Sequence, residues 1–362
     1  MEDREIIITD EDTKNEDLYE NGYPYEMPEE VDIREDHMSV FEWLRKIQQG
    51  KLILDPEFQR KLVWSADQKS KFVESVLLNI PLPPFYVNQN IEGKYIIVDG
   101  LQRTDTLQSF AREDGFKLQN LQVLKKLNDL GFKDLDASLQ TKIEDKQLFL
   151  YVIKPSVPIP MVYDIFNRIN TGGTQLNRQE IRNCIFIGKA TRLLKELSET
   201  KYFRNAIDNG ISPKRMKDRE AVLRSLAFSI LGYQKNYTGS MDDFLEMAMQ
   251  SINAMNDDAI NSLKERFKYA MEFSYYFFGE KNFRLPTEKT RGRINIALLE
   301  SVCHFFLITP HNFLTENEAA IKRNYEKLLS SPIFIDAIKT STGDKKRVFN
   351  RFNLVQQILG EV

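Results

Sequence analysis

The spacing of apolar positions divides the chain near Glu199: short strand-like runs alternate with helical spacing before it, and helical spacing alone follows. Val40, Trp43, Leu44 and Ile47 recur at helical intervals behind Ser39-Val40-Phe41-Glu42, a capping box, and Gly50 ends that helix. Leu52 to Leu54 reads as a short strand. A second capping box, Ser65-Ala66-Asp67-Gln68, opens a helix with Phe72, Val73, Val76 and Leu77 inward, and Pro81, Pro83 and Pro84 stop it. Phe85 to Asn88 and Tyr95 to Asp99 predict two strands around the turn Asn90 to Gly93. After Gly100 a helix begins at Leu101 with Leu107, Phe110 and Ala111 on its inner side. The stretch from Gly115 reads as mostly helical until Leu148 to Ile153, the clearest strand signal in the chain. Met161 to Ile169 predicts a helix that runs into the glycine-rich loop Asn170 to Leu176. Asn177-Arg178-Gln179-Glu180 is a third box, starting a helix through about Leu197.

From there the helical patterns fall at about 218–233, 241–254, 258–279, 292–308, 315–330 and 345–359. The expected fold class is α+β: an α/β domain over residues 37–199 and a helical bundle domain over 200–362, preceded by an arm over 1–36.

Composition narrows the functional classes. No apolar run approaches the roughly 18 residues of a membrane helix, and Met1 to Glu5 lacks the basic start of a signal peptide, so a cytoplasmic protein is expected. Two cysteines, Cys184 and Cys303, and three histidines, His37, His304 and His311, supply poorly a disulfide framework, a zinc ribbon or a histidine-based nuclease centre. His304, within an apolar helix, reads as a core residue. The net charge of −3 conceals an asymmetry: residues 1–36 hold fifteen acids against Arg4, Lys14 and Arg34, which leaves +9 on the rest. The arm is a solvated tail or a cover for a basic groove, and the basic body is a candidate surface for DNA.

Candidate chemistry gathers at element ends. The turn Val98-Asp99-Gly100-Leu101-Gln102-Arg103 joins an inner strand to a helix start, where unpaired N–H groups favour an anion and Arg103 adds a forked donor. Asp55 to Arg60 follows another strand, and Asn167 to Thr174 ends a helix in two glycines. A triphosphate needs cationic forks, free N–H groups and a hard oxygen ligand for magnesium. Arg60, Arg103, the Gly100 turn and Asp99 offer these. The plain alternative is a strand-to-helix turn in which Asp99 caps the helix and Arg103 pairs with a surface acid. No Gly-x-x-x-x-Gly-Lys-Ser/Thr phosphate loop occurs. The loop Arg284 to Arg293 carries four basic groups and is either a solvated connection or a phosphate contact.

The same clusters carry a family resemblance. Asp55-Pro56-Glu57-Phe58-Gln59-Arg60, Val63-Trp64-Ser65, Glu74-Ser75-Val76-Leu77, Ile80 to Pro84, Val98 to Arg103 and Phe166 to Leu176 resemble the N-terminal domain of GmrSD-type restriction proteins over residues 38–190. The resemblance implies a ParB- and sulfiredoxin-like fold and a nucleotide-binding, often nucleotide-hydrolysing role in bacterial defence against phage. It implies Gln59, Arg60, Asp99, Gln102 and Arg103 as catalytic residues, with Asp99 also the metal ligand. Asp55, Gly100, Leu101, Thr104, Asn167, Arg168, Asn170, Thr171, Gly172, Gly173 and Thr174 would contact the nucleotide. The family motif Asp-Gly-Gln-Gln-Arg survives as Asp99, Gly100, Gln102 and Arg103, with Leu101 replacing the first Gln and Thr104-Asp105-Thr106 replacing Leu-Thr-Thr. The histidine-based nuclease domain of many relatives has no counterpart in the helical pattern. The chain is therefore expected to be a regulatory or sensor subunit that binds a nucleoside triphosphate with magnesium and works with a partner protein carrying the nuclease; the alternative is a non-catalytic DNA-binding module. Arg103→Ala is expected to weaken nucleotide binding and leave the fold intact.

Overall fold

The computed structural model describes residues 31–54, 64–111, 115–169, 176–286 and 292–361. They fall into two compact units that divide between Ile185 and Phe186.

The first unit is built on a five-stranded mixed sheet. Its elements in chain order are β1 (Ile33–Ser39), α1 (Val40–Gln48), β2 (Leu52–Ile53), α2 (Ala66–Leu77), β3 (Phe85–Gln89), β4 (Tyr95–Asp99), α3 (Leu101–Phe110), α4 (Ala137–Glu144), β5 (Gln147–Ile153), α5 (Ile159–Ile169) and α6 (Arg178–Ile185). The sheet order is β1-β5-β3-β4-β2. β1 runs antiparallel to β5 and β3 antiparallel to β4, while β3 with β5 and β2 with β4 are parallel. Met38, Leu148, Leu150, Val152, Phe85, Val87 and Ile97 share one core with Trp43 of α1, Phe72, Val73 and Val76 of α2, Leu107 and Phe110 of α3 and Ile143 of α4. Strand side chains alternate between faces, so this apolar set leaves His37, Phe149, Tyr151 and Tyr86 for the other side.

The local signals for helix starts are met by hydrogen bonds. Ser65 and Gln68 form a complete capping box, and Asn177 and Glu180 exchange side-chain-to-backbone bonds of 2.8 and 2.9 Å. Only half of the Ser39 box forms: Ser39 Oγ accepts from the Glu42 N–H at 3.1 Å, while the Glu42 carboxylate lies 3.6 Å from Lys46.

Three expectations are corrected. Residues 33–36, placed in the acidic arm, belong to β1, an edge strand whose charges suit its solvent side and whose pairing with β5 is non-local. The stretch after Gly115 is mostly irregular, with two 3-10 turns (Lys125–Leu127 and Phe132–Asp134) and α4. Leucines at 118, 121, 124, 127 and 130 mimic a helical stripe, but the loop is pinned instead by the buried carboxylate of Glu74, which accepts from the N–H groups of Val123 and Leu124 at 2.8 Å each. The chain also leaves the first unit earlier than Glu199, because the helix that follows Gly188 packs within the second.

That second unit contains α7 (Lys189–Glu199), α8 (Lys201–Ala206), α9 (Lys217–Leu231), α10 (Tyr233–Asn236), α11 (Met241–Ala254), α12 (Asp257–Phe278), α13 (Ile296–Ile308), α14 (His311–Glu316), α15 (Glu318–Leu329), α16 (Pro332–Lys339) and α17 (Lys345–Leu359). α7 packs on α9 and α11, and α13 on α9, α12 and α17. Among the described residues no helix is long and apolar enough to cross a membrane. The unit's described core is mainly aliphatic and aromatic, and it also buries neutral polar groups such as Ser225, Ser274, Asn282 and Ser301 and a set of charges that includes Glu300 and Arg351.

Candidate functional site at the end of the fourth strand

β4 is an inner strand with Tyr95, Ile96, Ile97 and Val98 buried, and it delivers Asp99 to the sheet's edge of polarity. The chain then turns through Gly100, whose φ of +104° lies in the left-handed region. Glycine is required here twice over, since a Cβ would also sit 2.4 Å from Phe85 Cδ1. Gly100 is the N-cap residue of α3, and no side chain caps that helix. The first-turn N–H groups therefore retain the partial positive charge that attracts an anion.

Arg103 closes the turn from below. Its Nη2 donates to Asp99 Oδ2 at 2.6 Å and to the Pro84 carbonyl at 3.2 Å, and its Nη1 donates to the Pro83 carbonyl. The guanidinium also lies 4.4 Å from the centroid of the Phe85 ring. Burial pulls its pKa down from the ordinary arginine value while Asp99 opposes that shift; the group remains a cation. The Asp99 side chain is 41% exposed against 10% for Arg103, so the carboxylate meets solvent and the guanidinium does not. Asp99 thus serves as Arg103's partner, not as the helix cap.

The neighbouring positions divide by function. Gln102 Oε1 accepts from the Trp64 N–H at 3.4 Å, which ties the turn to the approach to α2. Thr104, expected to contact nucleotide, is fully buried and accepts from Trp43 Nε1 at 3.1 Å, a core hydrogen bond. Leu101 packs against the same core. Asp105 pairs with Lys69 at 2.7 Å, so the anion that departs from the family pattern is neutralised locally. On the sheet, Tyr86 stands opposite Asp99 in register and stacks on Tyr151 with ring centroids 5.1 Å apart. Burial, then the neighbouring Tyr151 and Asp99, push the Tyr86 phenol pKa upward.

The structure thus brings Asp99, Gly100, Leu101, Gln102, Arg103 and Thr104 together at one junction. Asn167 and Arg168 lie in α5, where Arg168 pairs with Asp164 at 2.9 Å. Asp55, Gln59, Arg60, Asn170, Thr171, Gly172, Gly173 and Thr174 lie outside the described residues. Sequence reasoning missed the part played by Pro83, Pro84, Phe85 and Tyr86. The prolines signalled a helix stop, and nothing in their pattern announced that their carbonyls hold an arginine. In the second unit, His304 is buried against Tyr233 and Phe352, and His311 lies against Tyr269 and Phe273.

Comparison with known proteins bears out the resemblance. Residues 40–187 match the family model described as GmrSD restriction endonuclease, N-terminal domain. No curated protein matches the chain.

Proposed function

We propose that the chain is a regulatory or sensor subunit of a restriction system, and that it binds a nucleoside triphosphate at the junction of β4 and α3. The family match over residues 40–187 supports the setting. The observation that carries the site is the uncapped start of α3 behind a left-handed Gly100, beside a carboxylate and a guanidinium locked to each other. In this reading the mixed sheet is the ParB- and sulfiredoxin-like core that the family implies.

The first-turn amides of α3 hold phosphate oxygens, and the absence of a Cβ at Gly100 lets the phosphate approach the backbone. Arg103 fixes Asp99 and the Pro83–Pro84 segment, so the seat keeps its shape before ligand arrives. Asp99, exposed on its outer side, fits magnesium, which is commonly held by one or two carboxylates together with substrate phosphates. Bound magnesium would neutralise phosphate charge. Asp55, Gln59, Arg60, Asn167, Arg168 and the loop Asn170 to Thr174 complete the nucleotide site in this proposal, and Gln102 ties the turn to its surroundings. The nuclease resides on a partner protein, a reading supported by the restriction-system setting of the family match.

One experiment addresses both halves. Purified full-length protein is titrated calorimetrically with the four common nucleoside triphosphates and magnesium, and the same mixtures are assayed for phosphate release and for cutting of plasmid DNA. Binding with or without phosphate release, and intact DNA, are expected. Absence of heat with every nucleotide overturns the nucleotide proposal, and DNA cutting by the pure chain overturns the regulatory one.

A further inference from the structure

One feature of the sheet is unused by the phosphate seat. Register places Asp99 of β4 opposite Tyr86 of β3, Tyr86 beside Tyr151 of β5, and Tyr151 opposite Glu35 of β1. Partners in register project to the same side of a sheet, which aligns Tyr86, Tyr151 and Glu35, and a shift of register between Tyr86 and Val87, an irregularity of the β3–β4 ladder, sets Asp99 opposite Tyr86 as the end of a row across four strands. At a strand spacing of about 4.8 Å the row is about 14 Å long. It lies on the face away from the core, where Phe149 is 58% exposed and Glu35 is exposed, while Tyr86 and Tyr151 are half-buried. The tyrosine rings are 23° from parallel, an arrangement fixed by two neighbouring strands and not by a loop.

Resting on the phosphate seat proposed above, we infer that this row is the nucleoside subsite: the base and sugar of the nucleotide lie across Tyr86 and Tyr151 while the phosphates sit at the start of α3. Three properties support that occupant. The row is continuous with the seat, because its end member Asp99 directly precedes Gly100. Its aromatic surface suits a base, since stacking on an aromatic ring is available to every base. Beyond Asp99, which the phosphate seat uses, its polar groups are the Glu35 carboxylate and two phenol oxygens, which can accept from the N–H and O–H donors of a base and ribose. Carboxylates at both ends of the row repel the continuous phosphate backbone of a polynucleotide. Charge therefore sorts the two ends of one small ligand, with its anionic part on the helix start and its donor-bearing part on the row.

The test separates this inference from the reading on which it rests. Full-length protein and the variants Tyr86→Leu, Tyr151→Ala and Tyr151→Phe are titrated calorimetrically with the four nucleoside triphosphates and with inorganic tripolyphosphate. Tyr86→Leu and Tyr151→Ala should lower nucleoside triphosphate affinity by about tenfold. Tripolyphosphate affinity should stay unchanged, which also reports that the variants are folded. Tyr151→Phe, which keeps the ring, should stay within about threefold of the parent for its best nucleotide. Undiminished nucleotide affinity in both ring-removing variants overturns the subsite and leaves the phosphate seat standing. Equal affinity of the parent for tripolyphosphate and for every nucleotide also overturns it. Failure of the parent to bind any of these ligands removes seat and subsite together.

Discussion

Arg103–Asp99 in the first unit and Arg351–Glu300 in the second are the same chemical pair in opposite surroundings. Arg103 is nearly buried while Asp99 is 41% exposed. Arg351 and Glu300 are both fully buried. Arg351 donates to Glu300 through Nη2 and to the Thr342 carbonyl through Nη1 at 2.6 Å, and Arg224 lies 4.0 Å from the other Glu300 oxygen. The phenol of Tyr237, which donates to the Gly343 carbonyl, is pushed up to about 12, first by burial and then by Glu300. Such a sealed cluster fastens α13 to α17 and offers no ligand a way in. The open pair organises a turn and leaves one member facing water. Exposure of a single carboxylate is what separates the candidate site from the structural clamp.

The comparison predicts its largest effect in the sealed pair. Arg351→Met removes the cation and leaves Glu300 buried beside its remaining neighbours, a change that should cost about 3–5 kcal/mol. Replacing both partners, Arg351→Met with Glu300→Leu, should recover most of that loss, because two apolar side chains need no compensation. Urea denaturation of the parent, single and double variants measures this. A single variant within about 1 kcal/mol of the parent would mean that the burial of the pair does not control its energetics.

The second prediction sharpens the sealed side through pH. His304 is buried, its Nδ1 has no hydrogen-bond partner, and burial, assisted by Arg266, pushes its pKa down to about 4. The folded protein therefore keeps this imidazole neutral where an unfolded chain begins to protonate, below about pH 6.5. The unfolded state then binds more protons, so stability is full above that value and falls as pH drops toward 4. Between pH 6.5 and 5 the loss from this one group should be about 1–2 kcal/mol. His304→Leu should remove that part of the slope, as read by denaturation at both pH values. Parallel slopes for parent and variant would show that His304 protonates equally in both states.

What the sequence disclosed and what it withheld follow the distance over which each feature is determined. The Ser65 and Asn177 caps, β4, Gly100 and the start of α3 depend on neighbours within a few residues, and all are where the local pattern predicts. β1 escaped notice because its identity comes from β5, more than a hundred residues away, and its own charges disguise it as part of the arm. The leucines after Gly115 misled for a related reason: the Glu74 carboxylate, some fifty residues earlier, satisfies backbone groups that a helix would otherwise pair. At the candidate site, Asp99, Gly100, Gln102 and Arg103 were legible as a motif, while the core hydrogen bond of Thr104 was not, because its partner, Trp43, lies 61 residues away. The partners of Arg103 are likewise remote, the Pro83 and Pro84 carbonyls standing 20 and 19 residues before it.

Those remote partners set the smallest of the three effects. An arginine free to grip phosphate could be replaced without harm to the fold, but Arg103 already holds two carbonyls and Asp99. Arg103→Ala deprives the carbonyls of their donor. Pro83 is exposed and Pro84 half-buried, so water can replace part of what is lost and the cost should fall near the lower end for an unsatisfied group, about 1–1.5 kcal/mol. The Asp99 ion pair adds little, since its carboxylate is already hydrated. Arg103→Lys should recover only part of the loss, because an ammonium cannot reproduce the planar fork that spans Pro83, Pro84 and Asp99. Affinity for tripolyphosphate should fall by less than about 1 kcal/mol, reflecting a loosened turn and a more distant lost charge, not a lost direct contact. Urea denaturation and calorimetry on the same three proteins decide the matter. Unchanged stability with a large loss of phosphate affinity would make Arg103 a direct phosphate ligand and would put the open pair in a different chemical class from the sealed one.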